Sequence, residues 1–448
     1  MTLRTNVTIA ALLAAAVLPT GASAAAPWTP PATIPDAAGS PNQNLFTAAG
    51  HGVVLSPSAN RSSVGHSQVA TITPTGAVVS TEPLDYAGSA LATYARDRVA
   101  VAGQSVARSG PDAGTIDDNS SVVVRFGAPS GLGAEHVVAG TKGQQLFGLA
   151  SNRDGLMALV TGASRSRTVF LRRPGSSTFT AKLRIKVSNL ARGAAVAVGE
   201  SGDVLVAYED AHEVRARHIG ARGSAGAVHR LGPGVQSDLQ AAVNDDGRLA
   251  VAWKSQRVSE GEAATPAIVW FATAAPRHGF GAARKIATVA TTGSNKFVAS
   301  PGVRLIADGD DALLAYTGAD AGNYAVQAAR VTAGHVGGAQ RLSPAGEDAV
   351  LGDAALAANG AQVVAWRSGV AGSVPAPLPG GGVAHTPVLA NVRAPGAAAF
   401  GPAEAISPAD VDVPLAPSAA IDPVGGAATV AFGFLTPSIV ALSARATA

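Results

Sequence analysis

The sequence predicts an all-β fold, a β-propeller of about eight four-stranded blades, with seven as the alternative count. Three observations predict it. A short apolar strand ending in an aromatic residue recurs along the chain, an Asn/Asp/Gly turn stands before each copy, and the two ends carry incomplete units that complement one another.

The recurring strand reads Leu205-Val206-Ala207-Tyr208, Ala250-Val251-Ala252-Trp253, Leu313-Leu314-Ala315-Tyr316, Val363-Val364-Ala365-Trp366 and Thr429-Val430-Ala431-Phe432. Turns such as Asn244-Asp245-Asp246-Gly247 and Asn359-Gly360 precede it, and another apolar strand precedes each turn. Polar turns between apolar runs are the sequence form of a β-hairpin. A third strand follows each copy, for example residues 267–273 and 324–331, and then a fourth at residues 227–231, 280–286, 337–342 and 400–406. The unit returns at intervals of roughly 45 to 65 residues, the spacing of propeller blades. Weaker copies reach back to residue 53, which makes seven complete units. Because the aromatics Tyr208, Trp253, Tyr316 and Trp366 recur at one blade position, they are read as packing between neighbouring blades.

The ends predict the closure. After Phe432 the chain supplies a third strand, residues 439–444, and no fourth. Trp28-Thr29-Pro30-Pro31-Ala32-Thr33-Ile34 stands alone ahead of the first unit and resembles the fourth-strand stretch Phe400-Gly401-Pro402-Ala403-Glu404-Ala405-Ile406. The N-terminal strand is therefore expected to complete the C-terminal blade, which removes open sheet edges and ties both ends of the ring.

Residues 1–24 read as a secretory signal: Arg4, an apolar run over 7–18, a break at Pro19, and Ala22-Ser23-Ala24 for cleavage. Residues 25–448 are then one propeller domain, secreted to the extracellular space or the cell surface. No later apolar run approaches the roughly 20 residues of a membrane helix, so no membrane insertion is expected after signal removal. The chain has no cysteine, and so no disulfides; cohesion must come from core burial and closure. A formal charge of +3, with no Lys/Arg cluster and few aromatics, excludes a nucleic-acid partner.

In a propeller the connections between second and third strands share a face with those between blades. Here they vary most in length: residues 104–120, 255–266 and 367–386 are long, whereas 209–212 is short. Variable loops on a rigid scaffold place the binding site on that face. Its candidate ligand-binding residues are Arg108, Asp117, Asp118, Glu209, Asp210, Arg257, Glu260, Glu262, Arg367 and His385, with Arg61, His66, Asp112 and His212 beside them. No catalytic residue is assigned. The acidic turns lack the carboxylate spacing of a calcium loop and no Gly-x-Ser-x-Gly elbow is present, so neither metal nor cofactor is called for.

In architecture the chain resembles the secreted bacterial propellers that include the sialidase-like and BNR-repeat proteins. The resemblance covers nearly the whole chain after the signal. Those families mark the turn between third and fourth strands with Ser-x-Asp-x-Gly-x-Thr-Trp. Here the acidic-Gly turns lie between first and second strands, as in Asp245-Asp246-Gly247-Arg248-Leu249-Ala250-Val251-Ala252-Trp253. A sialidase site also needs an arginine trio and a Tyr/Glu pair, and no residues here take those roles. The resemblance thus implies fold and not activity. The expected function is a monomeric extracellular binding or scaffold protein for a protein or glycan ligand. The alternative is a glycan-active hydrolase or lyase, sialidase-like, with carboxylates at the central channel.

Overall fold

The computed structural model describes residues 27–37, 43–58, 66–95, 97–105, 119–188, 193–234, 238–256, 266–289, 302–320, 323–368, 387–408, 416–434 and 439–447. The expected signal lies outside them. The described residues contain no helix, and their strands form eight sheets, the blades of a propeller. Seven blades each take consecutive strands of the chain. Blade 4, for example, holds Ala194–Val198, Val204–Asp210, Glu213–Ile219 and Ala225–Pro233 in antiparallel order. First strands contact the first strands of both neighbouring blades, so they surround the axis.

The eighth blade is assembled from both ends of the chain. Ser418–Ile421, Ala427–Phe434 and Ile439–Ala446 are joined by Ala32–Ile34 as the outermost strand. The register is Ala32↔Leu442, Thr33↔Ala441 and Ile34↔Val440. Thr29 N donates to Ala444 O at 2.8 Å, and Ala444 N donates to Thr29 Oγ1 at 3.0 Å. Both the blade count of eight and the terminal closure stand as expected.

Cohesion lies between blades. Each of eight apolar clusters joins two neighbouring blades, and together they go once round the ring. Second strands are buried on both sides for this reason, as Val204–Asp210 and Leu249–Ser255 show. The repeated aromatics all pack toward the preceding blade: Tyr208 on blade 3, Trp253 on blade 4, Tyr316 on blade 5, Trp366 on blade 6 and Phe432 on blade 7. Their neighbours are alanines such as Ala252, Ala315 and Ala365, all fully buried. Small side chains let neighbouring sheets approach closely there. The abundant alanine is thus a packing requirement of this ring.

The turns between first and second strands form as expected. Asn244 Oδ1 accepts from Arg248 N at 2.7 Å, and Gly247 adopts a φ of 82°, which glycine reaches without strain. Outer strands differ from expectation. Blade 5 has Arg284–Val289, not 280–286, and blade 7 has only Glu404–Ala405. Blade 6 splits its outer strand into His335–Val336 and Gln340–Arg341, and the glycine pair at 337 and 338 falls in the gap.

Candidate functional site

The inner strands enclose a cavity of about 620 Å³ on the ring axis. Along Val303–Asp308 of blade 6, Arg304, Ile306 and Asp308 all line it, as period-two alternation demands. Arg304 and Asp308 are four residues apart, roughly 13 Å along the strand. Each anchors a charged group at its own level of the channel.

The first group lies near the start of the inner strands, toward the face that carries the connections between second and third strands. Arg304 Nε donates to Asp353 Oδ1 at 2.8 Å, and its Nη1 stands 3.9 Å from Asp238 Oδ2. Asp353 Oδ2 also accepts from Ser418 Oγ at 3.0 Å and from Ala419 N at 3.1 Å. Asp238 Oδ2 accepts from Val303 N at 3.2 Å. One guanidinium and two carboxylates thereby lace blades 5, 6, 7 and 8 together. Burial opposes the charge on Arg304, but Asp353 and Asp238 outweigh it and hold its pKa above the usual value.

Lys254 is cross-strand partner to Asp238 and is 3% exposed. Burial pushes its ammonium down from 10.5 to about 8, against the pull of Asp238. A lysine whose folded pKa is depressed loses its proton first in the folded state. Above about pH 8 the unfolded chain then holds more protons, so stability rises with pH until the ordinary lysine range is passed. The rise expected is about 3 kcal/mol. Urea unfolding of the wild type from pH 7 to 10.5 should show it, and Lys254→Met should flatten the curve. An equal rise in Lys254→Met would assign it to other groups.

The second group lies at the opposite mouth. Arg153, on the first turn of blade 3, donates from Nη2 to Asp308 Oδ1 of blade 6 at 2.7 Å, and its Nε lies 3.9 Å from Glu200 Oε1 of blade 4. One arginine therefore reaches across the channel mouth. Burial pushes both Glu200 and Asp308 above the usual carboxylate range, and Arg153 works against that shift.

The described residues of the cavity wall include none of the candidates read from sequence. Arg108, Asp117, Asp118, Arg257, Glu260, Glu262 and His385, with Arg61 and Asp112, lie outside the described residues. Glu209 and Asp210 are not loop residues. They end the strand Val204–Asp210, because Ala211 and His212 both take positive φ and close a two-residue hairpin with Asp210 opposite Glu213. Glu209 is 2% exposed, and its charge opposes the burial effect on the buried Arg167. Asp210 accepts from Ser188 N at 2.7 Å and Arg215 Nη1 at 2.6 Å. Both carboxylates are buried. Arg367 likewise belongs to a strand, Gln362–Ser368 of blade 7, paired with Val350. His66 lies 3.8 Å from Asp85, and His212 is exposed.

Ser201, Asp203 and His218 meet on blade 4, with Ser201 Oγ donating to Asp203 Oδ2 at 2.7 Å and His218 Nε2 2.7 Å from Asp203 Oδ1. The aspartate stands between the other two. The imidazole is bonded to the carboxylate and not to the hydroxyl, so this order activates no nucleophile. Among the described residues no group of three or more His, Asp or Glu is placed to hold a metal ion.

No protein-family model matches the chain, and no curated relative matches it. Solved structures do. The Dos1 propeller is 9% identical, with 93% of this chain and 94% of that chain covered and a TM-score of 0.51. Hydrazine synthase of Kuenenia stuttgartiensis is 11% identical over 91% of this chain and 96% of that one, with a TM-score of 0.45. A structure of YCF48 bound to D1 peptide is 12% identical over 70% and 85%, with a TM-score of 0.38. The chain is a β-propeller. At these identities the likeness is one of fold.

Proposed function

We propose that this propeller is a secreted binding scaffold whose ligand, a glycan or a segment of another protein, occupies the central channel. The observation that carries it is the 620 Å³ cavity on the axis, where the charged groups of Arg304 and Arg153 stand beside apolar wall residues such as Ile306 and Ile421. A concave site with few polar groups set among apolar ones is the usual form of a ligand pocket. Arg153 spans part of the other mouth, which favours entry from the face carrying the connections between second and third strands.

The hydrolase or lyase alternative needs a protonated acid facing a free carboxylate. Asp238, Asp308 and Asp353 are the carboxylates among the described residues of the wall, and an arginine engages each. Binding is the better-supported reading.

Gln240 lines the cavity and has no side-chain partner among the described residues. Glycan and peptide arrays probed with the purified protein supply the ligand, and Gln240→Trp, which puts an indole into the channel, should weaken its binding without lowering the melting temperature. Undiminished binding by a folded Gln240→Trp protein would place the site elsewhere.

A further inference from the structure

Away from the axis, blades 3 and 4 leave a second cleft of about 660 Å³ between them. One wall is the connection from the third to the outer strand of blade 3, with Arg173, Pro174 and Thr178. The other is the pair of hairpin turns of blade 4, residues 199–203 and 220–224. The cleft lies on the face that carries these short turns.

Lys182 reaches this cleft through a bulge. The pairing passes from Val169↔Leu183 to Phe170↔Ala181 and leaves Lys182 without a cross-strand partner. Such a bulge re-aims a side chain. Arg184 and Lys186, on the regular part of the same strand, do not line the cleft. Arg173 and Arg222 contribute from the two walls.

The side chains of Arg173, Lys182 and Arg222 make no hydrogen bond or ion pair with any described residue. Arg125, Arg215, Arg330 and Arg445 each hold a carboxylate, whereas these three exposed cations converge on one cleft and hold none. The acids of the cleft, Asp154 and Glu200, belong to its wall, and Glu200 is already engaged by Arg153. The cleft therefore holds more positive charge than its own carboxylates offset. Leu156, Leu171 and Pro174 add apolar surface beside the cations, and Thr180 adds a hydroxyl. Cations with hydroxyls beside a small apolar surface suit a sugar ring that bears a charge.

We propose that this cleft binds an anionic saccharide, its carboxylate or phosphate held by Arg173, Lys182 and Arg222 and its ring lying against Pro174 and Leu171. The site is separate from the channel and does not depend on what the channel binds.

The test is calorimetric titration of the full protein with three probes: a galacturonate hexamer, glucose 6-phosphate and neutral maltohexaose. With the Gln240→Trp protein, whose channel is obstructed, one or both anionic probes should bind and maltohexaose should not; which anionic probe binds distinguishes a carboxylate from a phosphate. The Arg173→Ala/Lys182→Ala/Arg222→Ala variant should weaken that binding by about tenfold or more, the sum of three screened contacts. Arg184→Ala/Lys186→Ala removes charge from the same outer strand and should leave it unchanged, as should Gln240→Trp. The proposal is overturned if neither anionic probe binds, if maltohexaose binds the Gln240→Trp protein equally, or if the two charge-removing variants lose affinity alike. Circular dichroism of both variants separates lost contacts from lost fold.

Discussion

Arg304→Met should destabilise the propeller by about 2–3 kcal/mol, read from urea unfolding at neutral pH. Removing one member of a buried ion network costs roughly 3–5 kcal/mol because a charge is left without compensation, and the channel's partial exposure reduces that figure. Here the substitution strands two carboxylates, Asp238 and Asp353, on the inner strands of blades 5 and 7. The control is the triple variant Asp238→Asn/Arg304→Met/Asp353→Asn. An asparagine at 353 keeps an acceptor for Ser418 Oγ and Ala419 N, so most of the loss should return. If Arg304→Met unfolds within about 0.5 kcal/mol of the wild type, the network does not tie the blades.

The second large effect belongs to the strand that closes the ring. Ile34 is fully buried in the cluster between blades 8 and 1, with Phe46, Val440 and Leu442. Ile34→Ala should cost about 2–5 kcal/mol through lost burial and the cavity left behind. Ile34→Asp should cost more, because a carboxylate in that cluster has no partner. The distinctive readout is limited proteolysis. Opening the closure exposes the edge of Ile439–Ala446, so early cleavage should appear there in Ile34→Asp and not in the wild type. Val137→Ala, at an exposed outer-strand position, should melt with the wild type. Cleavage that begins elsewhere in Ile34→Asp would mean that this strand is not the weak point of the ring.

The propeller could be read from the sequence because its signal is local and repeated. A turn such as Asn244 to Gly247, followed by Leu249 to Trp253, specifies a hairpin by backbone chemistry alone, and repetition multiplies the inference. The closure could be read because a lone strand and a missing strand were both visible. The channel residues were not. In Val-Arg-Leu-Ile-Ala-Asp the alternation puts Arg304 and Asp308 on one side, which in an ordinary hairpin is the face turned to solvent. Only the ring turns that side into a channel wall and brings Asp238 and Asp353 to Arg304 from other blades. Conversely, Glu209 and Asp210 read as loop residues in the sequence because an Ala-His pair gives no hint of the tight turn it forms. Alanine seldom takes the positive φ that Ala211 adopts. Lys182 was hidden for a related reason, since a bulge shifts which face a residue occupies and leaves no mark in the sequence.

The pairing of Thr33 with Ala441 sets an order of events. Polypeptide is made from its amino end, so the outermost strand of the eighth blade is the first to be made and the last to find its place. Until the ribosome has added the hundreds of residues between them, that strand has nothing to pair with, and seven blades can only form an open arc with two raw edges. Closing the arc into a circle brings together the most distant parts of the chain, and the blades folded in between have already removed most of the loop entropy that the contact would otherwise cost. Until that contact forms, both edges of the arc are open to pairing with other strands.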